Sequence, residues 1–336
     1  MTIAICGGGS LGHVCIGVLS SHEDVTVHLL TNRPQLWNDS ITVTDIDGKI
    51  FNGKIAKLSS RPEDVIPEAD IVFLCLPGFL IEQTLRQIKP HLKSGAAVGS
   101  IVSSTGFFFF AHSVLGADVS FFGFQRVPFI CRVKEYGQSA NLLGYKSSLA
   151  LAVENMENVE AFRMQIERLF STPTTLLGSF YEAALTNSNP ILHTARLYSM
   201  WHEWDGTPFD HCTLFYREWT VDAAQMLIDM DSEFMRLLDV LPMNKAAIPT
   251  LLDYYESTDA QSLSSKLSSI PAFMSILAPM TETPSGWVPD FQSRYFTEDF
   301  PYGLKFIISL AREHGVSTPV LDKVYEWGTK VLEHEN

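Results

Sequence analysis

Basic charge is scarce in this chain: 24 Lys and Arg stand against 38 Asp and Glu, a formal net charge of -14. A phosphate backbone needs a continuous basic face to displace its counterions, so nucleic acid is excluded as the expected partner. The same scarcity gives weight to each arginine placed beside a glycine-rich or helix-end segment, since an anionic ligand must be met by a locally focused cation. Long apolar runs are also missing. The stretch Ile71 to Ile81 is broken by Pro77-Gly78 and falls short of the roughly 20 residues needed to cross a bilayer, so no membrane partner is expected. Nothing basic precedes Ile3, and glycines interrupt the first apolar segment, so no secretory signal is expected. The five cysteines (Cys6, Cys15, Cys75, Cys131, Cys212) are odd in number and form no CxxC pair. Neither a disulfide framework nor a zinc ribbon is expected, and a reducing cytoplasm suits them.

What is present is apolar mass. With 336 residues, 46% of them hydrophobic, the chain can bury a large core and has the length of about two globular domains. Its first half carries short apolar runs, "TIAIC", "VTVHLL", "IVFLCLPG", "AAVGSIVS", "VSFFGF" and "SLALAV", which read as strands. Helical stretches such as Leu11 to Ser20 and Leu80 to His91 separate several of them, the alternation of a parallel doubly wound sheet. Asp47-Gly48 within "TVTDIDGKIFNGK" predicts an inserted hairpin. The "FFFF" at 107 to 110 reads as buried aromatic mass at a strand end.

Beyond "ERLFSTPTTLLGS" the apolar residues recur at helical spacing. Asn189-Pro190 marks a helix start, Asp231 to Leu241 is amphipathic, and "FPYGLKFIISLAREHGV" runs from a proline to a stop at Gly315. The expected fold is α/β, with an N-terminal Rossmann-type doubly wound sheet over residues 1–178 and a mainly α-helical second domain over 179–336.

Gly7-Gly8-Gly9-Ser10-Leu11-Gly12 contains G-x-G-x-x-G directly after one strand and directly before a helix. Such glycines let backbone N–H groups approach a pyrophosphate at a helix N-terminus, where the dipole favours negative charge. The alternative is a glycine-rich packing turn. The order strand, loop, helix, strand favours a dinucleotide held by Gly7, Gly9, Ser10, Leu11 and Gly12. After the second strand the sequence reads Thr31-Asn32-Arg33-Pro34, with no carboxylate before Asp39. A carboxylate there would accept from the ribose 2′-OH of NAD, whereas an arginine can pair with a 2′-phosphate. Asn32 and Arg33 therefore lean toward NADP, with NAD possible if Arg33 stacks on adenine instead.

The nucleotide loop "CGGGSLGH", followed by "VPFICRVKEYGQSANLLGYKSSLALA", "HTARLYSMWHEWDGTPF", "LFYRE" and "VPDFQSRYFTEDFPYGLKFIISLAREHGVSTPVLDK", resembles the octopine/nopaline (opine) dehydrogenase family over nearly the whole chain. The resemblance implies a helical half like the C-terminal domain of 6-phosphogluconate dehydrogenase. It also implies an activity: the amino group of an amino acid joins an α-keto acid, and the imine is reduced by a nicotinamide cofactor. It makes His193, twelve residues before Asp205, the catalytic histidine, Asp299 its partner and Arg294 a carboxylate anchor. It further implies Leu76 and Pro77 at the cofactor and Ser104 and Arg126 at the substrate. Arg126 stands where the family has a small hydroxyl residue. Small-molecule substrates are the implied partners, and a homodimer is left open.

Read without the resemblance, the same residues are bland. His193 among apolar neighbours is a core histidine, Asp299 near Pro301 a helix cap, and Arg294 a surface ion pair. The chemistry nevertheless suits them: a group titrating near neutrality for proton transfer, a guanidinium fork for a carboxylate, and a carboxylate to fix an imidazole tautomer. "HEWDGTPFDHC" collects His202, Glu203, Asp205, Asp210, His211 and Cys212, but its spacing matches no zinc signature, so a polar loop and no metal are expected. Trp201, Trp204 and Trp219 are expected to supply apolar walls. Two other functions compete. A ketopantoate-reductase-like or other 2-keto acid dehydrogenase would use a lysine early in the helical half, and none lies between Lys146 and Lys245. A non-catalytic nucleotide-sensing protein has no need of His193, Arg294 and Asp299 together.

Overall fold

Thr2–Cys6 is a strand whose residues Ile3, Ala4 and Ile5 are wholly buried, the mark of a parallel strand covered on both faces. In the computed structural model, which describes residues 1–334, this strand sits inside an eight-stranded sheet. The spatial order is Thr174–Leu176, Leu149–Glu154, Ser120–Phe124, Ala97–Ser100, Ile71–Leu74, Thr2–Cys6, Thr26–Leu30 and Lys57–Ser59. Pairing is parallel throughout, except that Leu149–Glu154 runs antiparallel to Ser120–Phe124. From Thr2–Cys6 the chain turns to Thr26–Leu30 on one side and later to Ile71–Leu74 on the other. The crevice at the carboxyl ends of these two central strands is the switch point where such sheets bind ligands.

The helix Ser10–Leu19 is buried from Gly12 to Leu19. A helix apolar on every side must be covered on every side, and here a second sheet does so. The expected hairpin is present, Ser40–Asp45 against Ile50–Lys54, turning at Gly48 with φ +83°. Ser40–Asp45 pairs in parallel with Ser139–Tyr145, which pairs with Phe129–Glu135 to complete four strands. Gly17 lets this sheet approach the helix: a Cβ there would lie 2.5 Å from a methyl of Val43.

The expectation for "FFFF" is corrected. Phe107 to Phe110 lie on the helix Phe107–Leu115, entered through Gly106 at φ +78°. Phe107 and Phe108 are buried against Phe121. Length and periodicity cannot separate a short buried helix from a strand in so brief an apolar run.

Contacts divide the chain into Met1–Ala184 and a second unit from Leu185 onward, a boundary a few residues beyond the change in patterning at 178/179. The second unit contains the helices Asn189–Trp201, Val221–Leu238, Ala260–Ser269, Lys305–Glu313 and Pro319–His334, with one small hairpin, Met280–Thr283 with Gly286–Pro289. The amphipathic stretch beginning at Asp231 belongs to a helix that starts ten residues earlier, where the Thr220 hydroxyl accepts from Ala223 N–H at 3.2 Å. Among the described residues no helix is long and apolar enough to cross a membrane.

Candidate cofactor loop and candidate active site

The glycine loop leaves the strand Thr2–Cys6 through Gly7 at φ +118°, where a Cβ would lie 2.5 Å from the Cys75 carbonyl oxygen. Gly12 faces back on the loop, and a Cβ there would collide with the Gly7 carbonyl oxygen. Gly9 differs: a Cβ would meet nothing within 4 Å. Its open side is where a pyrophosphate can approach the first turn of Ser10–Leu19. The loop borders a cavity of about 410 Å³ lined also by Thr31, Asn32, Arg33, Ser60, Leu76 and Pro77. Arg33 is the one cation in that lining and no carboxylate is part of it. Cys6 and Cys75 line the cavity too. Burial pushes the Cys6 thiol up to about 12, and a hydrogen bond donated to Cys15 together with burial raises Cys75, so they pack as neutral thiols.

Of the residues expected at the cofactor, Gly7, Gly9, Asn32, Arg33, Leu76 and Pro77 share this cavity, while Ser10, Leu11 and Gly12 form the helix turn behind it. The Ser10 hydroxyl accepts from Val133 N–H at 3.1 Å. Ser104 lies on the short turn Ser103–Thr105, and Arg126 is an exposed residue after the strand Ser120–Phe124.

In the second unit three segments converge on one imidazole. His193 lies on Asn189–Trp201, and its Nδ1 is 2.8 Å from Asp299 Oδ2 while its Nε2 is 3.0 Å from the Tyr216 hydroxyl. The carboxylate only accepts, so Nδ1 carries the proton and Nε2 is the nitrogen free to exchange one. Burial raises the Tyr216 pKa, so it keeps its O–H, which in the Nδ1–H tautomer is placed to donate to Nε2. Both ends of the Asp299–His193 pair are largely buried, with side chains 16% and 12% exposed. The electrostatics of such a pair are weakly screened by solvent.

Each partner is held from elsewhere. Asp299 does not cap the turn that follows it, contrary to the bland reading: its side chain makes no capping bond to Phe300–Leu304, and its carboxylate goes to His193. Gly303 lets that turn press on Pro190, since a Cβ there would collide with the proline ring. Tyr216 is fixed by Arg196, which is 3% exposed and donates to the carbonyls of Phe215 at 3.0 Å and Glu218 at 2.8 Å. Desolvation lowers the Arg196 pKa to about 10, which leaves it charged. The Tyr216 ring stacks with Trp219 at 5.8 Å and with Phe273 at 4.5 Å. Sequence reading missed Tyr216 and Arg196, although both lie in or beside the quoted segments "HTARLYSM" and "LFYRE".

Arg294 opens the short helix Arg294–Thr297, exposed to solvent. Among the described residues its guanidinium makes no hydrogen bond or ion pair, so the surface-pair reading is set aside. The next residue, Tyr295, lies with its ring 4.7 Å from that of His193. The loop around "HEWDGTPFDHC" is tied internally, His202 to the Tyr198 carbonyl at 2.8 Å and Asp205 to Thr207 N–H at 2.9 Å. Among the described residues no cluster of metal-ligating side chains occurs. Trp201 packs against Phe291 and Phe296 as an apolar wall.

Comparison with known proteins finds a different family match in each half of the chain. Residues 176–332 match the family described as NAD/NADP octopine/nopaline dehydrogenase, alpha-helical domain, and residues 3–104 match ketopantoate reductase PanE/ApbA. The chain is 28% identical to tauropine dehydrogenase of Arabella iricolor, covering 100% of this chain and 92% of that one. It is 27% identical to octopine dehydrogenase of Mizuhopecten yessoensis, covering 99% and 90%. A solved octopine dehydrogenase with NADH and L-arginine superposes with a TM-score of 0.87 at 27% identity over 99% of this chain and 90% of the other.

Proposed function

The chain belongs to the octopine/nopaline dehydrogenase family, and from that premise we propose that it condenses an α-keto acid with the amino group of an amino acid. It is an NAD(P)-dependent oxidoreductase acting on CH–NH bonds and also runs the reverse oxidation of the secondary amine. One observation carries the assignment of roles: the Asp299–His193–Tyr216 line, close in sequence to an unpaired Arg294, inside the segment that matches the family's helical domain.

The chemistry asks for a proton to be moved at a nitrogen and for a carboxylate to be held. The amine adds to the keto carbon in its neutral form, the tetrahedral adduct loses water, and the imine carbon accepts a hydride while its nitrogen keeps a proton. The bound dihydronicotinamide supplies that hydride. His193 Nε2 takes the proton released on addition and returns one to the departing hydroxyl, work suited to an imidazole whose second nitrogen is held by a carboxylate. Asp299 keeps the Nδ1–H tautomer and supports the imidazolium in between. Arg294 receives the keto-acid carboxylate as a fork, which limits the orientations of the reacting carbon.

For the cofactor, Arg33 without a carboxylate in the cavity lining supports NADPH over NADH, because an anionic side chain would repel a 2′-phosphate that Arg33 can pair with. The test is an assay of nicotinamide absorbance with pooled amino acids and pyruvate. Loss of absorbance only when both substrates are present is the expected result. Loss with the keto acid alone would favour the ketopantoate-reductase-like reading. No loss by a protein that still binds the nucleotide would favour a sensor.

A further inference from the structure

A histidine buried behind the glycine loop links it to a distant hairpin. His13 is wholly buried on Ser10–Leu19, and its Nδ1 lies 2.9 Å from the Gly9 carbonyl oxygen. A carbonyl only accepts, so Nδ1 carries the proton, and Nε2 is left to accept from Gly137 N–H at 2.8 Å. Desolvation lowers the His13 pKa, against which the Gly9 bond acts. The neutral tautomer is therefore favoured, since an imidazolium would turn a second N–H against that of Gly137.

Gly137 is pinned on its other face as well. It sits at φ +73°, a Cβ there would collide with the Leu36 carbonyl oxygen, and its own carbonyl accepts from Asn38 N–H at 3.0 Å. The residue held in place by these bonds is its neighbour, Tyr136. The Tyr136 ring meets His13 edge-on at 5.4 Å and Trp37 at 5.6 Å, and Trp37 lies 4.1 Å from the His13 ring. Among the described residues the buried Trp37 indole nitrogen has no hydrogen-bond partner, so what that side chain contributes is its face.

The Tyr136 hydroxyl points at the nucleotide loop. A Cβ on Gly8 would lie 2.6 Å from it and 3.0 Å from the Thr31 hydroxyl, so a side chain there would have to displace the phenol. Tyr136 lines the same cavity as Asn32 and Arg33. Among the described residues its hydroxyl makes no hydrogen bond. A phenol fixed by its neighbours, with a free O–H between the phosphate loop and the end of the second strand, faces the place where the adenosine ribose of a dinucleotide lies.

We propose that Tyr136 is a cofactor-contacting residue whose hydroxyl donates to the ribose-phosphate oxygens of the adenosine half, and that His13 is the positioning residue that holds it there through Gly137. The proposal rests on the nicotinamide reading above and adds to it a residue from a hairpin more than a hundred positions away from the loop it serves. Proline-like rigidity is unnecessary, because the hairpin tip is tied at both the N–H and the carbonyl of Gly137.

The full-length protein, titrated with NADPH and with NADH, tests it. Tyr136→Phe keeps the ring and removes one donor. Its dissociation constant should rise by about 5- to 15-fold for at least one of the two nucleotides, the size of one hydrogen bond of roughly 1 to 1.5 kcal/mol, while the melting temperature stays near the parent's. His13→Ala should weaken binding as well, and His13→Gln should recover part of the loss, because an amide can donate to Gly9 and accept from Gly137. The loss from His13→Ala should also be smaller in a Tyr136→Phe background, as expected of residues that act in series. Unchanged nucleotide affinity in Tyr136→Phe, with a parent that binds, would overturn this proposal and leave the cofactor reading standing. A parent that binds neither nucleotide would overturn both.

Discussion

The glycine loop and the His193 site are built on opposite principles. The loop works through backbone: Gly7 and Gly12 allow the chain to turn tightly and Gly9 leaves the first turn of Ser10–Leu19 open beside the cavity, and its side chains mostly stay out of the way. The His193 site works through side chains from Asn189–Trp201, the turn at 215–218 and the turn at 299–304, joined by hydrogen bonds across 106 and 23 residues. The difference predicts that binding and chemistry are separable by substitution. Removing a side chain from the second site should leave a protein that holds its cofactor and fails to turn over.

The largest expected effect falls on that side. His193→Ala should lower kcat by about 100- to 10,000-fold, the usual range for a general acid–base group, with the cofactor dissociation constant within about twofold of the parent. Parallel loss of nucleotide affinity would break the comparison. Asp299→Asn should act on the same step, since it removes the charge that supports the imidazolium. Tyr216→Phe, which keeps the stack on Phe273 and removes the partner of Nε2, should act there more weakly, by about 10-fold if one neutral hydrogen bond is lost. An effect of a different kind, on binding rather than turnover, is expected at the loop. Arg33→Ala should raise the Michaelis constant for NADPH by about tenfold or more while sparing NADH, as loss of a charged hydrogen bond of roughly 1.5 to 3 kcal/mol requires. Equal effects on both cofactors would reduce Arg33 to a stacking or solvent-facing side chain.

The same contrast governs how much could be read in advance. The loop is contiguous, and its glycines, the flanking strand and helix, and Arg33 all stand within the first 33 residues of the chain. Local spacing therefore conveys the physics. The His193 site gives no such signal: read locally, Asp299 is a cap, and only the tertiary approach permitted by Gly303 at Pro190 brings its carboxylate to the imidazole. Family resemblance singled out His193, Asp299 and Arg294 where spacing was silent. Tyr216 escaped because its position depends on a buried arginine bonding to loop carbonyls. Tyr136 and His13 escaped because their partnership spans 124 residues. The four-stranded sheet was half legible, its Asp47-Gly48 hairpin signalled by the turn and its other hairpin by nothing comparable. The misread "FFFF" segment was too short for periodicity to decide between strand and helix.

The central claim is that the hydride of the bound dihydronicotinamide ends on a carbon bonded to nitrogen. The direct measurement supplies NADPH deuterated at the transferring position of C4, together with pyruvate and an amino acid found active in the pooled assay, and determines the product by mass. The account predicts a secondary amine carrying both carbon skeletons, one mass unit heavier than with unlabelled cofactor, the label residing on the former keto carbon. Deuterium found only in a 2-hydroxy acid, with no product containing the amino acid, would contradict it.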